Sequence, residues 1–298
     1  MMQLKHTAQR DAKLLSFLRQ ELGLSSTLVK RIKFREAYRV NGEVVRTNFP
    51  VKAGDLIEVC LDEPTPEYPA QEGKLDILYE DEWLIALDKP PGILMHPSSC
   101  RNEGTLANYL LGYYQKTGQA CAVHPVSRLD RDTFGVVLLA KNAHVHAKMM
   151  EIAQKEGLGK VYHALVYGCP KAPQGIIDAP IARREGSSLL RCIRPEGKEA
   201  RSAYRLLEQK GGISRLELTP LTGRTHQLRL HCAHMGFPIL GDPQYGSEES
   251  QTFSLRFGLE HQQLCAFSLS FRHPLEEKQL EIFSRREVSI DFLPPEDI

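Results

Sequence analysis

The sequence predicts an α+β chain: a larger domain on a mixed, mainly antiparallel sheet with flanking helices, preceded by a small N-terminal α/β unit. Three observations predict it. Beyond residue 159, short strand-like runs follow one another with few helical stretches between them, which favours antiparallel over doubly wound pairing. The first 60 or so residues instead hold two short helical patterns and then an Asn-Gly hairpin. Between the two regions Pro64, Pro66, Pro69 and Gly73 stand among acidic residues, as in a semi-rigid linker. We therefore expect units at 1–62 and 75–298 joined by a linker at 63–74.

In the first unit, Leu14, Leu15, Leu18 and Leu22 recur at helical spacing and Gly23 is placed to end that helix. Ser25 or Ser26 caps a second helix, with Leu28 and Ile32 facing inward and Lys30, Arg31, Lys33 and Arg35 outward. Asn41-Gly42 then divides two apolar alternations, and Gly54-Asp55 opens the strand from Leu56. In the second unit, Leu75 to Tyr79 and Trp83 to Leu87 read as strands around an acidic turn. Asp88-Lys89-Pro90-Pro91-Gly92 is a sharp corner. Gly104 to Tyr114 reads as a helix. So does Ala143 to Gln154, capped by Asn142, with Met149, Met150 and Ile152 as core positions. Lys160 to Tyr167 alternates as a strand, with Tyr162, Ala164 and Val166 on one face and His163 and Tyr167 on the other. Further strands are expected at Ala203 to Glu208 and Leu216 to Thr219. After Gly223 a helix fits in which Thr225, Arg229 and Cys232 share a face, ended by Gly236 and Pro238.

Bulk properties narrow the function classes. No run reaches the roughly 18 apolar residues a membrane span needs, and the polar stretch from Met1 to Lys13 lacks a signal-peptide core. A soluble, cytoplasmic protein is expected. Seven scattered cysteines with no Cys-x-x-Cys pair read as reduced thiols, not as a disulfide framework or zinc site. The net charge of +1 conceals an asymmetry, because residues 1–62 carry 11 Lys and Arg against 7 Asp and Glu. A basic head on a mildly acidic body implies that a polyanionic partner is gripped by the head.

The stretch around which the chain is organised is the charged turn Arg128, Asp130, Arg131 and Asp132, which runs into the apolar residues Phe134 to Ala140. Taken alone, such a turn is most often a solvated loop or a structural ion pair. Its position at the mouth of a buried strand, however, suits an ionised acid. His226, His231 and His234 near the last helix have no acidic partner within it and no His-Glu-x-x-His pattern, so packing or backbone contacts are expected and no metal site. No phosphate loop or dinucleotide fingerprint appears.

Residues 12–60 resemble the small RNA-binding module of ribosomal small-subunit protein S-four, which implies that Lys30, Arg31, Lys33 and Arg35 touch RNA phosphates. Over about Leu75 to Pro274, a series of ordered motifs resembles the RluA-type pseudouridine synthases. They are Lys89-Pro-Pro-Gly, His96-Pro97, Arg128-Leu129-Asp130 with Thr133 and Gly135, Lys160 with Tyr162 and Ala164, and Gly197-Lys198 with Ala200. Gly223-Arg-Thr-His-Gln-Leu-Arg229, Gly241-Asp242 and His273-Pro274 complete the series. The resemblance implies a cofactor-independent isomerase that converts uridine in structured RNA, large-subunit ribosomal RNA before others, to pseudouridine. Transfer RNA, or a non-catalytic RNA-binding or ribosome-assembly role, are the alternatives. It makes Asp130 the catalytic aspartate, Arg229 its partner, Tyr162 the face on which the target base stacks, and Arg128 the side chain filling the space that base vacates. An Arg within about 4–6 Å keeps a buried carboxylate ionised, and stacking on an aromatic face recovers about 1–3 kcal/mol per base. The chain is expected to act as a monomer. It departs from the family at Ser127, where His is usual, at Phe134, where Ser is usual, and at Cys265, where His is usual; these departures bear on substrate more than on chemistry.

Overall fold

Seven consecutive residues without a polar side chain, Phe134–Ala140, form a strand in which every residue is buried. Such a run is stable only if both faces of its sheet are covered, and they are. Val136 and Leu138 pack with Leu84, Ala86 and the helix Ala143–Lys155, while Val137 and Leu139 pack with Ile85, Leu87 and the helix Leu106–Lys116. The computed structural model describes residues 2–33, 35–61, 66–98, 101–187, 190–276 and 278–292; Pro64 of the expected linker and Cys100 lie outside them.

The main sheet runs Gln174–Asp178, Arg201–Lys210, Ile213–Pro220, Gly159–Tyr167, Leu264–Arg272, Phe134–Ala140, Leu84–Lys89, Ile77–Glu80. Gln279–Phe283 adds to Leu264–Arg272, and His124–Pro125 adds to Phe134–Ala140. All these pairings are antiparallel except one. Phe134–Ala140 lies parallel to Leu264–Arg272 through two residue pairs, Phe134 with Cys265 and Gly135 with Ala266. The mixed, mainly antiparallel α+β architecture expected from the sequence is thus present. Gly135 has φ +105, and a Cβ there would come within 2.3 Å of the Ala266 carbonyl oxygen, so the seam closes only around glycine.

The N-terminal residues form a second sheet, in the order Met2–Thr7, Leu56–Leu61, Tyr38–Val40, Glu43–Val44. Asn41 and Gly42 take positive φ in the hairpin turn, and the Asn41 side chain binds both Asp55 and the Leu56 N–H. Ser25 caps the helix Ser26–Ile32 by accepting from Leu28 N–H. Two expectations need correction here. Leu15 is 44% exposed and Phe17 fully buried. The reason is that the first helix continues as a π-turn, Phe17–Glu21, in which Leu22 N–H reaches the Phe17 carbonyl and the buried face rotates. The strand Met2–Thr7 stands where the sequence read as merely polar; its Leu4 is buried while Lys5 pairs with Glu58 outside.

The core of this head is continuous with Trp83, Leu84 and Ala86 of the main sheet. Residues 66–76 have no regular structure, yet they are fastened to the helix Leu106–Lys116. Gln71 N–H donates to the Asn108 carbonyl at 3.0 Å, Asn108 Nδ2 donates to the Pro69 carbonyl at 2.8 Å, and Gly112 leaves no room for a side chain against Gln71. Two further corrections concern helices. Met149 is core, but Met150 is 46% exposed. The last expected helix begins at Gln227, not after Gly223, because His226 takes a left-handed conformation and leaves Thr225 outside it. The six described cysteines are free thiols, and among the described residues no helix is long and apolar enough to cross a membrane.

Candidate active site

Asp130 sits in the loop that feeds Phe134–Ala140, with its side chain 29% exposed. Opposite it, the helix Gln227–His234 presents Arg229, held by Leu228 and Cys232 against the sheet. Arg229 Nη1 donates to Asp130 Oδ2 at 3.1 Å, joining residues 99 apart in sequence. Sheet register brings in Tyr162. Gly135 pairs with Ala266, and Ala266 pairs on its other side with Tyr162, next to a bulge that re-aims the strand. The phenol is pushed well above its usual range, first by burial and then by the Asp130 charge, so it stays protonated. Asp130, Arg229 and Tyr162, chosen from the sequence, therefore meet in one place.

The sequence did not single out what holds Arg229. Asp242 takes Nε and Nη2 in a bidentate pair, both at 2.7 Å, and Gln244 accepts from Nη2 at 2.8 Å. Tyr245 lies beneath the guanidinium, 5.0 Å from ring centroid to Cζ. Burial disfavours the Arg229 charge, but the hydrogen bonds and charge of Asp242, with those of Asp130, outweigh it and raise its pKa. Asp130 thus receives only a share of a guanidinium whose first partner is Asp242. The signal was Gly241-Asp242, one of the ordered motifs, to which the sequence attached no role. Gly241 has φ +69 and lies against the His261 carbonyl, so the turn is tightly specified.

Arg128 is exposed beside the loop. Burial lowers the pKa of nearby His96, and the charges of His124 and Arg128 add to that effect. Arg131 and Asp132 pair with each other at 2.9 Å, the ordinary structural role. Lys30, Arg31, Lys33 and Arg35 are exposed on the head. His231 bonds Ser202 and the Ala179 carbonyl, the packing and backbone uses expected, whereas His226 bonds the Tyr245 hydroxyl and faces Asp130. Asp81, His273 and Glu276 are the one group among the described residues close enough to share a metal. Asp81 and His273 already bind each other, and both oxygens of Asp81 are further engaged by Tyr79, Trp83 and Leu84. Ser127, Phe134 and Cys265 are all buried. Ser127 Oγ accepts from Leu138 N–H, and Phe134 and Cys265 face each other across the seam.

Lys89 is fully buried and its Nζ donates to the carbonyls of Pro90, Ile93 and Arg131 at 2.7–3.0 Å, pinning the Pro-Pro-Gly corner to the residue after Asp130. Burial drives its pKa from 10.5 down to about 7, against the opposing pull of Asp132 and Asp130. Between about pH 7 and 10.5 the unfolded chain therefore holds a proton that the folded chain has released, and folding stability rises with pH by up to about 1.4 kcal/mol per unit. Urea titrations across that range should show a shallower rise for Lys89→Met; identical slopes for the two proteins would count against this assignment.

Residues 83–234 match the family described as RNA pseudouridylate synthase. The chain is 36% identical over 272 residues to the uncharacterised RNA pseudouridine synthase YjbO of Bacillus subtilis (strain 168), covering 87% of this chain and 90% of that one. It is 32% identical over 288 residues to ribosomal large subunit pseudouridine synthase C of Vibrio cholerae serotype O1, covering 93% and 90%. Among solved structures, human RNA pseudouridylate synthase domain containing 1 is similar in fold, with a TM-score of 0.58 at 23% identity over 75% of this chain and 94% of that chain. The chain belongs to the RNA pseudouridylate synthase family, in its RluA-type branch.

Proposed function

We propose that this chain isomerises one or more uridines of large-subunit ribosomal RNA, with Asp130 as the catalytic carboxylate. The observation that carries the reading is the Arg229 Nη1 to Asp130 Oδ2 contact at 3.1 Å, on a carboxylate whose charge also reaches the Tyr162 phenol. In the reaction the bond from N1 of uracil to the anomeric carbon breaks, and the base turns. A bond from C5 to the same carbon forms, C5 loses its proton and N1 gains one, so atoms balance without an oxidant or a metal. A carboxylate serves this chemistry by attacking the anomeric carbon or stabilising positive charge there. Arg229 keeps Asp130 ionised, Tyr162 offers the stacking face for the displaced base, and Arg128, exposed beside the loop, fills the vacated position in the RNA stack. Ribosomal RNA is favoured because a relative matched over 93% of the chain carries that substrate in its name. Free thiols fit a reducing cytoplasm.

Mapping pseudouridines across all RNAs from cells with and without the gene tests this directly. Loss of one or more sites in large-subunit ribosomal RNA is expected; loss confined to transfer RNA would overturn the substrate while leaving the chemistry in place.

We further propose residues 1–62 as an S-four-like RNA-binding domain, supported by four exposed cations on or just beyond one helix and by the basic excess of this segment. Because the head's core continues into the main sheet, deleting it would expose Leu84 and Ala86, and neutralisation is the cleaner test. Replacing Lys30, Arg31, Lys33 and Arg35 together by Gln should reduce the slope of log affinity against log salt by about 3, if each meets one phosphate. An unchanged slope would remove these residues from the interface.

A further inference from the structure

His226 stands immediately before the helix Gln227–His234 with φ 58 and ψ 20, a left-handed conformation that residues other than glycine adopt at a cost. The strain has a visible result. It turns the imidazole so that Nδ1 lies 2.8 Å from the Tyr245 hydroxyl and Nε2 lies 3.8 Å from Asp130 Oδ2. The Tyr245 oxygen accepts the backbone N–H of Arg191 at 3.0 Å, and the tautomer that also uses the hydroxyl proton has it donated to Nδ1. Nε2 is then the protonated nitrogen, and it faces the carboxylate. The same Tyr245 ring sits edge-on to His226, with centroids 5.6 Å apart, and beneath Arg229. One residue thus buttresses both groups that approach Asp130, and both approach the same oxygen, Oδ2.

We infer that His226 is a positioning residue for the isomerisation: oriented by Tyr245, it joins Arg229 in holding Asp130 Oδ2, so that Oδ1 is the oxygen presented to the anomeric carbon. The inference rests on Asp130 being the catalytic carboxylate. At 3.8 Å the contact is longer than a hydrogen bond, and such contacts commonly tighten when substrate seats. Burial, opposed by Asp130 and helped by Arg229, holds the imidazole below its usual pKa, so it approaches the carboxylate as a neutral donor and leaves Arg229 as the cation.

The test compares His226→Ala, His226→Asn, Tyr245→Phe and Asp130→Asn as purified full-length proteins. The probe is RNA from cells lacking the gene, labelled with uridine carrying tritium at C5, so that tritium release reports the reaction. Melting temperatures show that each variant folds. His226→Ala should lower kcat about 10- to 100-fold, the scale of one hydrogen bond to a charged group, with KM changed by less than about twofold. His226→Asn, which tolerates the left-handed backbone but ends where Nδ1 ends, short of Asp130, should be about as slow as His226→Ala and so separates the Nε2 contact from the backbone strain. Tyr245→Phe should also lower kcat, and adding it to His226→Ala should cost little more. An unchanged kcat in His226→Ala, a loss confined to KM, or the full parental rate in His226→Asn would overturn the role. Activity retained by Asp130→Asn would instead overturn the site on which it rests, so the two failures are distinguishable.

Discussion

Asp130→Asn is expected to abolish pseudouridine formation, by at least about 10^4-fold, the scale on which loss of a covalent or charge-stabilising group acts. The substitution keeps the shape of the side chain and removes only its charge. Two features say that the protein should survive it. Asp130 is 29% exposed, and Arg229 keeps its bidentate bonds to Asp242. RNA affinity should therefore stay near its original value while turnover vanishes. Single-turnover tritium release together with a binding titration separates the two quantities, and a variant that retains even a tenth of the rate would exclude Asp130 as the reacting group.

Asp242→Ala should be the most damaging change to stability in the site. Asp242 and Arg229 are 1% and 5% exposed, and the alanine would strand a buried guanidinium while also removing the acceptor for Gln244 and Tyr245 N–H. Breaking a buried pair from one side costs about 3–5 kcal/mol. A lower urea midpoint is expected, together with lost activity, since Arg229 would no longer be aimed at Asp130. Asp242→Asn, which keeps one acceptor oxygen, should fall between. If the midpoint for Asp242→Ala matched the parent protein, the pair would not be the anchor described here.

The sequence disclosed different parts of this molecule for different reasons. Phe134–Ala140 was legible because burial on both faces forces a continuous apolar run, and Tyr162 because alternation along its strand puts it with Ala164 and Val166. Asp130 and Arg229 could not be joined by spacing at all; the ordered motifs joined them. Asp242 was invisible as an anchor because its turn has the composition of any tight turn, and its value appears only once Arg229 is beside it. Leu15 and Phe17 exchanged places because a π-turn changes the period on which face arguments depend. His226 broke an otherwise regular helical pattern, and the strain that did so belongs to the site.

The single parallel pairing gives this enzyme a division of labour along the sheet. Asp130 hangs from the half that carries the head, while Tyr162 and Arg229 belong to the other half, and two residue pairs join the strands between them. The gap between Asp130 and Tyr162 is thus a property of alignment at the join, where Phe134 meets Cys265 and Gly135 meets Ala266. A displacement of about 1 Å in reacting geometry is enough to cost two orders of magnitude in rate. Buried residues at the join therefore act as the gauge of that gap, and in this chain the gauge is set by an aromatic ring, a thiol and a glycine.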